Sequence, residues 1–416
     1  MGTKGASVLP PVILLGGTAN ALSVAWTLRR RGIAVYALAP STAPIRYSRY
    51  SRWISVRENG DPQGAWMEWL LGGGGAALEG AVLLPCGDDG VELTARNRTR
   101  LAARFRLIEG NDEILLAMLD KASTYALAAR VGVPAPAACP ARTLPEALAA
   151  AERVGYPCAL KPRYSHRLQR FFKAKLFVVT SREHLCSVFE QVQAHGLDML
   201  VTEIIPGGDD RFCSYYTYLD DRLKPLFHFT KRKLRQYPNG FGTGTYHISD
   251  WNPEVARLGL RFFQGVGLSG FGNVEFKRDP RDNELKLIEC NPRFTLLHEM
   301  VQICGIDLSL LVYNRLTDRP LPTVGEYRRG VRFLVLREDF YAFREARGRG
   351  ELSWTRWLRS LLHWQHFLYF RWSDPWPATV LASWYLRDQV RRRLWGVFAR
   401  RRSGLPRGLR DGDHRA

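Results

Sequence analysis

Hydrophobic residues recur along this chain in two rhythms, and the rhythm changes near residue 107. The first run, Val12-Ile-Leu-Leu15, ends at Gly16-Gly17 and leads into a helical period over residues 20–31 that Gly32 closes. A second apolar run at 33–38 completes a strand, tight turn, helix, strand unit of the doubly wound type. Further strands are expected at 53–56 and 82–85, with a helix at 65–71. Residues 72–75, four glycines, read as a flexible connector, because no Lys-Ser/Thr follows them to make a phosphate cradle. Gly16-Gly17 lacks G-x-G-x-x-G spacing and is expected to serve the turn alone.

Beyond Leu107 the pattern becomes capped helices with proline-marked ends, at 112–119, 122–130 and 145–153, followed by short strand-like runs. These runs lie at 158–162, 174–180, 199–204, 212–219, 272–277 and 285–290. The expected fold is therefore a Rossmann-like α/β region over 1–106 and a mixed α+β region over 107–330. A basic, aromatic and helical extension over 331–416 completes it.

The strongest chemical signal is the stretch from Gly270 to Phe294. It reads as a hairpin: Asn273-Val-Glu-Phe-Lys277 out, a turn rich in Asp, Pro and Asn, then Leu285-Lys-Leu-Ile-Glu-Cys-Asn291 back. Side chains alternate along a strand, so Glu289 and Asn291 share a face, and the antiparallel return brings Glu275 beside them. Facing carboxylates repel, and a cation relieves them. Mg²⁺ suits such a set, because it accepts one or two carboxylates and an amide oxygen and completes its shell with water and phosphate. On pattern alone, a hairpin whose glutamates face solvent fits as well.

The hairpin resembles the metal-binding signature of the ATP-grasp superfamily, in which a glutamate on one strand is followed by Glu-x-Asn-x-Arg on the next. Here these are Glu275 and then Glu289-Cys-Asn291-Pro-Arg293. Other segments resemble the family in the same order, over roughly residues 10–320. Asp120-Lys121 resembles the start of its ATP-binding domain, with Lys121 on the phosphates, and Lys161, after Cys-Ala-Leu, resembles its second phosphate lysine. Glu203, Ile204 and Ile205 resemble the strand that meets adenine and ribose.

The chain departs from the family between Lys161 and Phe177, where a glycine-rich flap is expected and a glycine-free basic stretch stands instead. There a basic hairpin carrying His166, Lys173 or Lys175 could neutralise triphosphate. Residues 231–245, with four cations and several glycines, read as a mobile loop over an anionic substrate. The segments 16–20 and 86–89, with this loop, are most similar to the family's carboxylate–amine ligases.

The resemblance implies ATP and Mg²⁺ as cofactors, with Mn²⁺ able to substitute, and small-molecule carboxylate and amine substrates. Phosphorylation of the carboxylate would give an acyl phosphate that an amine then displaces, with release of ADP and phosphate. Arg293 and Lys161 would be catalytic, Arg293 meeting the transferred charge; the bland reading makes Arg293 a structural ion pair with Asp307 or Glu299. A degenerate nucleotide-binding protein is the alternative to a ligase.

Composition narrows the partners. Residues 344–416 hold sixteen arginines and six acidic residues, an excess of ten within a net charge of +20, together with seven of the twelve tryptophans. No RRM, KH, OB or helix-turn-helix signature accompanies them, so no specific nucleic acid is expected. Amphipathic helices on an anionic membrane surface fit this tail, as does packing of its tryptophans on the body. The seven cysteines form no C-x-x-C pair, which predicts reduced thiols in a cytoplasmic protein. A homodimer is compatible with all of this.

Overall fold

In the computed structural model the described residues are 9–56, 62–168, 171, 172 and 174–403, with His166 and 392–403 as backbone only. The first region folds as a five-stranded sheet: β1 (Val12–Leu15), β2 (Val35–Leu38), β3 (Arg52–Ile54), β4 (Val82–Pro85) and β5 (Arg106–Leu107). Its order is β3-β2-β1-β4-β5 and every pairing is parallel. All four residues of β1 and all four of β4 are buried, as strands covered on both faces require. The chain order reverses between β1 and β4, so the sheet has its crevice beyond the ends of those two strands.

Gly17 stands at that crevice because a Cβ there would lie 2.5 Å from Ile45 Cγ2 and 2.6 Å from Ala43 Cβ. The helix Ala19–Arg29 follows, buried over almost its whole length. Residues 72–75 are not a free connector: Gly72 N donates to Glu68 O at 2.9 Å and Ala76 N to Gly72 O at 3.2 Å. The backbone thus carries the preceding helix into a further turn, Gly73–Ala76.

The second region contains two sheets. The smaller comprises β6 (Ala138–Ala141), β7 (Cys158–Pro162), β8 (Phe177–Val179) and β9 (Met199–Glu203), antiparallel in the order β6-β9-β7-β8. Helices Leu144–Val154 and Arg182–Gln193 cover it through a core that includes Leu160, Phe189 and Val201. A full capping box starts the first helix: Thr143 accepts from Glu146 N, and the Glu146 side chain accepts from Thr143 N at 3.3 Å.

The larger sheet has seven strands: β10 (Phe212–Leu219), β11 (Phe229–Tyr237), β12 (Thr243–Asp250), β13 (Gly270–Arg278), β14 (Leu285–Asn291), β15 (Arg332–Leu334) and β16 (Gln365–Phe367). The order is β14-β13-β10-β11-β12-β15-β16. Along β13 the period of two sends Val274 and Phe276 into a core with Tyr215, Phe262 and Phe263, where the helix Pro253–Val266 packs. Asn273, Glu275 and Lys277 are left on the opposite face.

Two expectations change here. Residues 231–245 are a β-hairpin, not a mobile loop, since β11 and β12 pair from Thr230↔Asp250 to Tyr237↔Thr243 and leave five residues for the turn. A Cβ on Gly242 would sit 1.9 Å from the Tyr237 carbonyl, so that glycine closes the turn and gives no sign of movement. The extension, expected to be helical, also supplies strands: β15 pairs with β12 through Tyr246↔Leu334, and β16 pairs in parallel with β15.

The extension is bolted to the first domain through Asp374, which is fully buried. It accepts from Trp26 Nε1 at 2.7 Å, Ser48 Oγ at 2.5 Å and Arg49 N at 3.2 Å. Asp339 ties it to the large sheet, taking both prongs of Arg235 at 2.8 Å and Trp357 Nε1 at 2.9 Å. Trp357 is buried, whereas Trp364 and Trp372 are 84% and 89% exposed. Among the described residues no helix is long and apolar enough to cross a membrane.

Candidate active site

A cavity of about 880 Å³ lies over the polar face of the seven-stranded sheet, between it, the smaller sheet and the extension. Its floor is written by strand alternation. β14 contributes Glu289 and Asn291, β13 contributes Asn273, Glu275 and Lys277, β10 contributes Phe212, Ser214 and Tyr216, and β11 contributes Lys231 and Lys233. Register brings them side by side: Glu275 stands opposite Glu289, Asn273 opposite Asn291, and Ser214 opposite both Glu275 and Lys231. A bulge follows the Glu275 pairing, so Phe276 faces Leu287 and the two glutamates stay aligned at the bend.

Cations surround this acidic pair. Lys233 Nζ lies 3.1 Å from Glu275 Oε1 and 4.1 Å from the centre of the Phe212 ring. Burial would push the Glu289 carboxyl up, but Lys175, Lys121 and Lys233 together outweigh it and hold the group below its ordinary range. Lys161 on β7 is driven down to about 8, first by burial and then by repulsion from Lys121, with Glu289 opposing. Burial likewise brings Lys231 and Lys277 to about 8. Cations crowded together at such cost form a site for a polyanion.

Lys121 and Lys161 both reach this cavity, although they leave different elements. Lys121 opens the helix Lys121–Arg130, which Asp120 caps by accepting from Ala122 N at 3.1 Å. Asp120 is also paired with the Arg163 guanidinium, and the Lys121 ammonium donates to Ser165 Oγ. Lys175 lines the cavity as well. Lys173 and the His166 side chain lie outside the described residues. The expected hairpin is present, since β7 pairs antiparallel with β8, and a helical turn, Ser165–Leu168, lies in its connection.

At the end of β9, Glu203, Ile204 and Ile205 form one side of the cavity. The Glu203 carboxylate accepts from Ala137 N at 3.1 Å and pairs with Arg281, and Lys277 Nζ donates to the Ile205 carbonyl at 2.8 Å. Ala159, Ile205 and Ile288 give this part of the lining an apolar surface. Such a slot suits a flat heterocycle.

Arg293 leaves the sheet just after β14 and reaches the first domain, with Nε 2.5 Å from Asp88 Oδ1. Asp88 begins the helix Asp88–Arg96 directly after β4, at the crevice of the first sheet. Asn20 fastens the same seam, its amide donating to Cys86 O at 2.5 Å and Phe294 O at 2.8 Å. The bland expectation for Arg293 does not hold in its details: Asp307 pairs with Arg31, and Glu299 meets Ser23 and Arg371.

No family model matches the chain. Over 250 residues, 58% of this chain and 59% of the relative, the sequence is 25% identical to D-aspartate ligase of Enterococcus faecium; the chain thus spans about three fifths of that relative's length. The biotin carboxylase domain dimer of Hydrogenobacter thermophilus 2-oxoglutarate carboxylase, solved with MgADP, ADP and bicarbonate, is similar with a TM-score of 0.62. That match is 17% identical and covers 78% of this chain and 74% of that one. N5-carboxyaminoimidazole ribonucleotide synthetase from Thermus thermophilus gives a TM-score of 0.57 at 17% identity, covering 77% and 81%. The chain has the ATP-grasp fold.

Within the ATP-grasp fold here, the sequence reading set the cations of 231–245 over an anionic substrate but missed which of them face inward. Lys231 and Lys233 are 3% and 4% exposed and face inward from β11, while Arg232 between them is exposed. Their signal was the period of two, masked because a run of cations resembles a solvated loop. Lys277 shares a face with Asn273 and Glu275 by the same alternation. Asp88 lies in the segment 86–89 already marked by resemblance, but its pairing with Arg293, 205 residues away, had no local signal. His247, also at the cavity, is buried and held well below its ordinary range by burial and by Lys231 and Lys233, so it stays neutral.

Proposed function

We propose that this protein is an ATP-dependent carboxylate–amine ligase. The observation that carries the reading is the registered set of Glu275, Glu289 and Asn291 facing Lys121, Lys161 and Arg293 across one cavity. Two carboxylates facing each other in register suit a divalent cation: Glu275, Glu289 and Asn291 would hold Mg²⁺, or Mn²⁺ in its place. The metal, when bound, would neutralise charge on the phosphate oxygens.

Lys121 and Lys161 would hold the polyphosphate, and the slot at Glu203, Ile204 and Ile205 would take the base. A substrate carboxylate oxygen attacks the γ-phosphorus, the bond to the β-phosphate oxygen breaks, and ADP leaves. Arg293 meets the charge on the acyl phosphate. An amine nitrogen then attacks the acyl carbon and loses a proton, and phosphate departs. D-aspartate ligase is a relative at 25% identity, and a similar structure was solved with MgADP, which supports both the reaction class and the cofactor.

The test is product analysis. With hydroxylamine as acceptor, turnover should release ADP and phosphate and form a hydroxamate; release of AMP and pyrophosphate would replace the acyl phosphate with an acyl adenylate and end this reading.

Two finer assignments belong with it. The proposed domain limits are 1–106, 107–330 and 331–416, the last lending β15 and β16 to the large sheet of the second. The exposed Trp364, Trp372 and Trp376, beside the arginine excess, would contact anionic lipid from the cytoplasmic side. Replacing all three by Ala should lower sedimentation with anionic vesicles, and unchanged sedimentation would exclude the contact. One similar structure is a dimer, and a homodimer here is checked by light scattering.

A further inference from the structure

The cavity has a second arm with a different character. Beyond Lys231 and His247 the polar floor stops, and the wall is built from segments of the extension. Leu334 ends β15, with Val335 and Leu336 after it, and Phe367 ends β16, with Leu368 to Phe370 after it. The helix Trp376–Ser403 presents Ala378, Leu381, Ala382 and Tyr385, a spacing of three, one and three that forms a single stripe. Leu296 and Leu297, just past Arg293, close the near side.

At the junction of floor and arm sits Lys231, almost fully buried. Its ammonium meets Ser214 Oγ at 3.2 Å and His247 Nδ1 at 3.4 Å, both neutral groups. Among the described residues no carboxylate bonds this ammonium directly, although Glu275 and Glu289 act on it at longer range, so it can take a substrate anion. The surface beyond it is mainly hydrocarbon, with Arg337 and Glu338 also in the lining. The stripe is fixed in place: Tyr385 and Tyr341 share a hydroxyl contact at 2.5 Å, and Trp384 packs edge-on to Tyr47 at 5.7 Å.

We propose that the acid this enzyme activates has an apolar body, an acyl chain or an aromatic ring, seated in this arm with its carboxylate at Lys231 and Arg293. The inference rests on the ligase reading of the site. It also separates this chain from its relative named for D-aspartate, whose acid is polar along its whole length.

Calorimetry on the full chain with Mg²⁺ and a non-hydrolysable ATP analogue decides it, using butanoate, hexanoate, octanoate, 3-phenylpropionate, succinate and aspartate as probes. Affinity should rise roughly fourfold for each added methylene that is buried. Octanoate or phenylpropionate should bind at least on the order of tenfold more tightly than succinate or aspartate. The better of the two tells chain from ring. Leu381→Gln should erase the chain-length dependence and leave binding of the ATP analogue unchanged, and Lys231→Gln should remove the preference for octanoate over octan-1-ol. A flat chain-length series, tighter binding of the polar acids, or no binding of any apolar acid would overturn the proposal. If polar acids alone give hydroxamate, the ligase stands and the apolar acid falls. Apolar acids that bind tightly yet never give a nucleotide-dependent hydroxamate would leave the arm standing and remove the ligase.

Discussion

The floor of the cavity and its far wall are built by opposite means. On the floor, β13, β14, β10 and β11 place charged side chains by alternation, and nearby lysines hold the Glu289 carboxyl below its ordinary range despite burial. The wall takes short apolar segments from residues 334–385 and holds them by two buried aspartates, Asp339 and Asp374, that lie behind it. Charge on the floor is costly to bury and serves a polyanion. The wall is inexpensive hydrocarbon whose shape can change without disturbing that machinery. A fold divided in this way can keep one reaction while altering its substrate.

The sharpest way to break this contrast is at the floor. Glu289→Ala should lower kcat by on the order of 10³-fold or more, as loss of a central electrostatic group does, while circular dichroism and the unfolding midpoint stay close to those of the parent. Activity within a few-fold of the parent would remove Glu289 from the metal set. On the wall side, Asp374→Ala strands the buried donors of Trp26 and Ser48 and should cost about 2–4 kcal/mol in denaturant unfolding. A loss below about 0.5 kcal/mol would mean that the extension is only loosely attached.

What could be read in advance follows the same division. Glu275, Glu289 and Asn291 were legible because a period of two admits one face for all three, and the strand register sets them side by side. The parallel first sheet was legible from its buried runs. The inward lysines of β11 were not, since three successive cations hide an alternation. Nor was the wall: β15 and β16 have three residues each, too few to show a period, and a stripe of Ala, Leu, Ala and Tyr occurs on any packed helix. Asp88 and Asp374 act across 205 and 348 residues, distances at which sequence spacing carries no information.

The lysines offer a subtler probe of the floor. Lys161 and Lys231 are brought to about 8, below the ordinary 10.5, so between these values the unfolded chain binds more protons than the folded one. Their penalty on stability is full below pH 8 and is relieved as pH rises toward 10.5. A polyphosphate favours the charged form of Lys161, so ATP binding should take up protons near pH 8. Its affinity should fall on the order of tenfold from pH 7.5 to 9.5, as calorimetry in buffers of different ionisation enthalpy would reveal. A pH-independent affinity would mean that Lys161 does not touch the nucleotide. Trp364→Ala should give the smallest effect, within about 0.5 kcal/mol in stability, because that ring is 84% exposed. A larger loss would place it in the wall.

The bond from Trp26 to Asp374 also has a consequence in time. Trp26 belongs to the first sheet's own helix, yet its indole nitrogen has its partner 348 positions later. At a synthesis rate of roughly 5–20 residues per second, the N-terminal domain waits roughly 20–70 s on the ribosome with that donor and the seam around it exposed. The floor is complete only with Asn291 and the far wall with Tyr385, so floor without wall lasts a further interval of roughly 5–20 s; on the proposed reading, specificity is then the last property the protein acquires as it is made.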